Sequence, residues 1–269
     1  MRILWILCGF LAGLILFSAG ARANWVAPHL VAYWRFDDGA GTTAADSSGN
    51  GLVGTLAGFS GNRPSWIAGQ FGGALEFDRA VAEHVRIGGD NAVTKLAGGK
   101  SFSFWTRLPL APSGSNGFIS ISKDNSNRWH IDDGDRSGRV IVVNQVGGVR
   151  STAQVLTAPG VLTYGGGVWH HVVISDTGAG AGGASAYVDG VLAGTYDSFD
   201  YSGLPTDAVL RLGCRYANGV ESMGGALDDI AVFGTALTAT HVNALYSLGT
   251  DPGIRYDLGQ VQGLFAAYA

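Results

Sequence analysis

Oxygen-rich side chains on glycine turns are the groups in this chain best suited to chemistry. Asp37-Asp38-Gly39 and Asp46-Ser47-Ser48-Gly49-Asn50-Gly51 offer carboxylates, amides and open backbone carbonyls. Ca²⁺ takes roughly six to eight such oxygens. A second acidic pair, Asp228-Asp229, stands near the other end of the chain. If the first and last strands pair, it comes close to the first group. Regular alternation over 227–232 puts Asp228 with Ile230 and Val232 on the core side and turns Asp229 outward. A buried carboxylate needs a cation or backbone N–H groups. Asp38, Asp46, Asn50 and Asp228 are therefore the candidate ligands of one structural Ca²⁺. The competing reading gives Asp46 and Asn50 to Asx-turns and Asp228 to local hydrogen bonds.

Other polar clusters carry less. Asp132-Asp133-Gly134-Asp135 lacks calcium-loop spacing and a bidentate Glu, and reads as a hairpin turn. His170-His171 lie on a strand, where neighbours point to opposite faces, so both cannot chelate one ion. Sugar recognition favours exposed rings beside amides or carboxylates. Trp129, Tyr201 and Tyr216 lie next to loop segments, with Asn218 following Tyr216; these four are the candidate carbohydrate-binding residues. Trp34, Phe36, Phe102, Phe104 and Phe233 sit within strands and read as core.

The elements that must position these groups are almost all strands. Alternating runs recur between Gly, Asn, Asp and Ser clusters: 30–36, 74–77, 84–87, 101–107, 117–123, 128–131, 139–145, 150–155, 169–175, 184–188, 191–196, 208–214 and 225–233. Asp189-Gly190 is a two-residue hairpin signal. One helix follows Thr238, a good N-cap, with Val242, Leu245, Tyr246 and Leu248 as its apolar stripe. Its capping-box position holds His241 instead of Glu. Asp251-Pro252-Gly253 breaks the chain, and Leu258, Val261, Leu264, Phe265 and Tyr268 recur at helical spacing after it. The 43 glycines and three glutamates, Glu76, Glu83 and Glu221, agree with a turn-rich all-β chain. The expected fold is a two-sheet antiparallel jelly-roll sandwich with a short C-terminal helix.

Arg2, the apolar run 3–17 and Ala21-Arg22-Ala23 read as an export signal with a small-x-small cleavage site, the rival reading being an uncleaved anchor helix. The expected organisation is a signal peptide over 1–23, one domain over 24–250 and a helical tail over 251–269. The 17 basic residues fall to 15 without Arg2 and Arg22, against 21 acidic, a net charge of −6. That argues against nucleic acid and against an anionic membrane surface as partners, both of which attract basic patches. Cys214 alone remains after cleavage, so the core, with or without a metal, must hold the fold.

Five segments in order resemble the bacterial laminin G-like jelly rolls of the concanavalin A-like lectin/glucanase superfamily. They are YWRFDDGAGTTAADSSGNGLVGTL (33–56), GGALEFD (72–78), KSFSFWTR (100–107), WHHVVIS with YVDG (169–175, 187–190) and LDDIAVFGTALTATHV (227–242). The resemblance covers about residues 25–249. It implies a secreted, cell-surface or periplasmic binding module, for carbohydrate or another extracellular ligand, with a structural calcium near the junction of first and last strands. A structural or protein-interaction role is the alternative. The glucanase branch carries its catalytic carboxylates as Glu-x-Asp-x-x-Glu on one strand. Here Glu76-Phe77-Asp78 begins that pattern, but Ala80 to Ala82 follow and Glu83 lies too far along, so glycoside hydrolysis, which needs two placed carboxylates, is not expected.

Overall fold

The computed structural model describes residues 29–59, 65–109, 114–134, 136–150, 154–155, 157–217, 219 and 221–248. The signal-like segment 1–23, Asn218 and the tail 251–269 lie outside the described residues. Strands follow in the order β1 (Leu30–Trp34), β2 (Thr43–Ala44), β3 (Gly54–Ala57), β4 (Ser65–Ala68), β5 (Gly73–Phe77), β6 (His84–Ile87), β7 (Lys100–Arg107), β8 (Gly117–Ser122) and β9 (Arg128–Asp132). They continue as β10 (Ile141–Val146), β11 (Val149–Arg150), β12 (Gln154–Val155), β13 (His170–Asp176), β14 (Ala184–Val188), β15 (Val191–Tyr196), β16 (Val209–Leu212) and β17 (Gly225–Phe233), before one helix, α1 (Ala239–Leu248).

Two antiparallel sheets stack face to face. The first runs β15-β14-β13-β7-β17-β5-β4, with β1 also on β17; the second runs β11-β10-β9-β8-β16-β6-β3-β2, with β12 on β10. Alternation explains the core between them. Phe102 and Phe104, Val172 and Ile174, and Leu227, Ile230 and Val232 point inward from the first sheet. Ile119 and Ile121, Trp129 and Ile131, and Leu210 and Leu212 meet them from the second. The first and last strands do pair: Trp34 lies opposite Ile230 and Tyr33 opposite Ala231. The Asp189-Gly190 turn closes β14 on β15, with Val188 opposite Val191.

A smaller cluster covers the outer face of the first sheet. Tyr33, Val173, Tyr187, Ala231 and Phe233 pack there under Val242 and Leu245 of α1. The helix start is better made than its sequence suggests. The His241 N–H donates to Thr238 Oγ1 at 3.3 Å while the Thr238 N–H donates to His241 Nδ1 at 3.2 Å. A histidine here takes the reciprocal role that Glu plays in a capping box.

The regular alternation expected across Asp228-Asp229 is wrong. The pairing of β17 with β7 shifts register between Asp228 and Ala231, and Asp229 has φ of 45°. This bulge inserts one extra residue, so Leu227 and Ile230 both face the core. Asp228 instead lies opposite Trp105 on the outer face, and Asp229 is buried there too, 2% exposed.

Candidate functional site

The acidic junction forms where β1 and β5 flank β17. The turn between β4 and β5 straps it down: the Phe71 N–H donates to Asp228 Oδ2 at 3.0 Å and the Gly73 N–H donates to Asp37 Oδ1 at 2.7 Å. A side chain at Gly69 would collide with the Asp228 carboxylate, so the close approach requires glycine. Arg35 pairs with Asp37 Oδ2 at 2.8 Å, and the Tyr33 hydroxyl donates to Asp229 Oδ1. Asp228 Oδ1 and Asp229 Oδ2 are buried and accept no hydrogen bond among the described residues. Burial pushes the Asp228 carboxyl up to about 8, with Asp37 adding to the rise. Asp229 is raised well above the carboxylate range by burial and then by Asp228 beside it.

The other expected ligands do not converge on this pair. Asp46 spends both oxygens on backbone: Oδ1 accepts from the Tyr33 and Ser48 N–H groups at 3.0 and 2.9 Å, and Oδ2 from the Leu52 N–H at 2.8 Å. Asn50 donates its amide to the Leu30 and Val31 carbonyls, and exposed Asp38 accepts from the Ala45 N–H at 3.2 Å. Asp46 and Asn50 thus tie the turn after β1 to that strand. Asp37 and Asp229 take the places at the junction that the sequence reading gave to Asp38 and Asp46. Among the described residues no group of three or more His, Cys, Asp and Glu side chains is arranged to hold a metal ion.

Two of the expected sugar platforms are core. Trp129 is fully buried, its ring 5.0 Å from Phe102 and 5.3 Å from Tyr201. It points inward because it alternates with Arg128 and His130 on β9, beside inward Ile131. Tyr201 is 2% exposed, and its hydroxyl donates to the Val93 carbonyl at 2.9 Å. Tyr216 is half-buried over the second sheet, 4.7 Å from the Arg128 guanidinium and 5.4 Å from that of Arg215.

An open cleft of about 280 Å³ lies elsewhere, where β5, β7 and β17 end. Glu76, Ala226 and Arg107 form one lateral row across those strands. Ala226 is too small to separate its neighbours, so Glu76 Oε1 and Arg107 Nη2 meet over it at 3.3 Å, both partly exposed. Trp169 lays its ring 5.2 Å from the Arg107 guanidinium. Gly225 allows the tight entry into β17, since a side chain there would strike the Arg107 carbonyl.

Arg79 completes the wall and is held from behind. Its guanidinium donates to the Ser115 carbonyl at 2.7 Å and to Asn116 Oδ1 at 2.5 Å. Asn116 is fixed in turn by Asp133, which accepts from its N–H at 2.7 Å, and Tyr164 donates its hydroxyl to the same carboxylate. Asp132 and Asp133, expected only as turn residues, are fully buried: Asp132 pairs with Arg215 at 2.7 Å. Burial raises Asp133 above the usual carboxylate range. Sequence reasoning missed the cleft because its members come from separate segments. The GGALEFD and KSFSFWTR motifs contain Glu76 and Arg107, but only the sheet order brings them together. Chemically the cleft presents a carboxylate acceptor and a guanidinium donor beside an indole, a set that suits hydroxyl-rich molecules.

Comparison with known proteins agrees with the fold. Domain 4 of AbnA, a GH43 extracellular arabinanase from Geobacillus stearothermophilus solved in complex with arabinotriose, superimposes with a TM-score of 0.60 at 20% identity, over 80% of this chain and 97% of that one. The binding domain of botulinum neurotoxin DC, solved in complex with rat synaptotagmin II, gives 0.60 at 15% identity over 84% of this chain and 52% of that one. The botulinum neurotoxin serotype G binding domain gives 0.57 at 17% identity over 81% and 51%. The chain thus spans about half the length of those toxin domains. No curated protein sequence is significantly similar. The family model described as the concanavalin A-like lectin/glucanases superfamily, Laminin_G_3, matches residues 79–243, more than half of the chain, which therefore belongs to that family.

Proposed function

We propose that this protein is an exported, non-catalytic binding module that takes carbohydrate in the cleft between Glu76, Arg79 and Arg107. The observation that carries this reading is the open row of Glu76 and Arg107 beside Trp169. A pair of adjacent sugar hydroxyls can donate to the carboxylate and accept from the guanidinium. Both carboxylates near the cleft are engaged in ways that oppose acid–base chemistry. Glu76 is paired, and Asp78 Oδ1 accepts from the Ala80 N–H at 2.9 Å as a cap. The arabinanase domain solved with arabinotriose supports a glycan ligand on this fold, and the leader-like segment 1–23 supports export. A protein-interaction role is the second reading, favoured by the toxin domain solved with synaptotagmin and by exposed Val191 and Leu192 on edge strand β15, 69% and 52% exposed.

The same reading gives the acidic junction one structural Ca²⁺. Asp228 Oδ1 and Asp229 Oδ2, which accept nothing among the described residues, would hold it. The bound ion would supply the countercharge those buried carboxylates lack. Affinity electrophoresis in gels containing neutral polysaccharides, arabinan included, tests the binding role. Retardation that falls tenfold or more in Glu76→Gln, with unchanged melting, is expected. Free migration through every polysaccharide, with a protein partner captured instead, would replace the carbohydrate reading with the second one.

A further inference from the structure

The outer face of the second sheet carries an imbalance of charge that the cleft does not explain. Arg86 on β6 and Arg211 on β16 are direct cross-strand partners, and Thr55 and Ser120 continue the row to either side. Like charges placed directly opposite repel, and such pairs are normally avoided. Arg86 is exposed, whereas Arg211 is only 6% exposed.

Arg211 finds hydrogen bonds but no opposite charge. Its Nη1 donates to the Ser122 carbonyl and hydroxyl, both at 3.0 Å, and to the Val209 carbonyl at 3.2 Å. Its Nε is buried without a partner among the described residues. Among the described residues neither Arg86 nor Arg211 has a carboxylate within ion-pair distance. Asp132 and Glu221 are both taken by Arg215. Arg128, the next cation along, lies against the Tyr216 ring. His84, on the same strand as Arg86, places Nδ1 3.0 Å from the Ala82 carbonyl, which accepts. Burial lowers its pKa and the two arginines lower it further, so it adds no charge near neutral pH.

A guanidinium sunk into a face with a second one above it, in a chain whose charge is net negative, is costly unless an anion visits. We propose that the surface around Arg86 and Arg211 binds the carboxylate or sulfate groups of an acidic polysaccharide. The carrier rests on the carbohydrate-binding reading above; the anion site itself does not, because it lies on the other sheet from the cleft.

Affinity electrophoresis in gels containing polygalacturonate, dextran sulfate or neutral arabinan separates these claims, with the first two polymers distinguishing carboxylate from sulfate. Wild type is expected to be retarded by at least one acidic polymer, with the effect lost at high salt because exposed charges are screened. Arg86→Ala should weaken that retardation about tenfold and leave arabinan binding unchanged. Arg86→Glu should abolish it and raise the low-salt melting temperature, since the new carboxylate supplies the anion that Arg211 lacks. Inorganic sulfate, compared with chloride at equal ionic strength, should raise the melting temperature of wild type more than that of Arg86→Glu. If arabinan retards the protein and the acidic polymers do so no more strongly, the anion site is overturned while the carbohydrate reading stands. If no polymer binds but sulfate protects through Arg86, the site stands and the polysaccharide carrier is overturned. Unchanged acidic-polymer binding in both Arg86 variants also overturns the site.

Discussion

The acidic junction and the open cleft both place acids beside β17, yet they treat charge in opposite ways. At the junction Asp228 and Asp229 are buried, each with an oxygen that accepts nothing among the described residues, and both are pushed toward the neutral form. In the cleft Glu76 lies partly in water and opposite Arg107. Buried, unmatched carboxylates hold elements together only when a proton or cation joins them. Half-exposed, matched groups can exchange water for a ligand at little cost, because a surface pair contributes about 0–1 kcal/mol. Under the proposed function, closure of the sandwich falls to one region and recognition to the other.

The largest effect expected of a single substitution is on stability, away from both regions. Trp129→Ala should cost about 3–5 kcal/mol, as for other buried Trp truncations, and appear as an early denaturant midpoint. A native midpoint with selective loss of glycan binding would restore Trp129 as a ligand platform.

Next comes the pH response of the junction. The native carboxyl of Asp228 is raised from 3.8 to about 8, so the folded state binds more protons than the unfolded one between those values. The stability this group gives the metal-free protein is then fully present below about pH 4 and is lost as pH rises through 8, with a slope of at most about 1.4 kcal/mol per pH unit. Melting in chelator should show that decline and excess Ca²⁺ should reverse it; Asp228→Asn should make the decline shallower, leaving the share of buried Asp229, and should remove the Ca²⁺ response. A flat profile, unchanged by Ca²⁺, would break the contrast between the regions.

Asp46→Ala should cost about 1–3 kcal/mol because three backbone N–H groups lose their acceptor, whether or not Ca²⁺ is present. A loss seen only with Ca²⁺ present would return Asp46 to the metal site. Tyr201→Phe should cost about 1 kcal/mol through its bond to the Val93 carbonyl.

Strand identities were legible in the sequence because alternation and turn residues are local. The Asp189-Gly190 hairpin follows from them, whereas the pairing of the first and last strands rests on the family resemblance of their segments. The orientation of Asp228 was not, since a one-residue bulge reverses every alternation argument downstream and leaves no residue-type signature in Leu227-Asp228-Asp229-Ile230. Trp129 had a usable signal: alternation with Ile131 on one side and Arg128, His130 and Asp132 on the other marks it as inward. Tyr201 had none, because its burial depends on packing from Trp129 and Val93. The cleft depends on β5, β17 and β7 lying side by side, a long-range order that no local pattern encodes.

The most direct test of this division is a paired measurement of glycan retardation and melting temperature for Glu76→Gln and Asp228→Asn. Glu76→Gln should lose binding tenfold or more and shift stability by less than about 0.5 kcal/mol, as an exposed pair would. Asp228→Asn should keep binding and lose the Ca²⁺-dependent rise in melting temperature. Full binding by Glu76→Gln, or lost binding by a well-folded Asp228→Asn, would contradict the account.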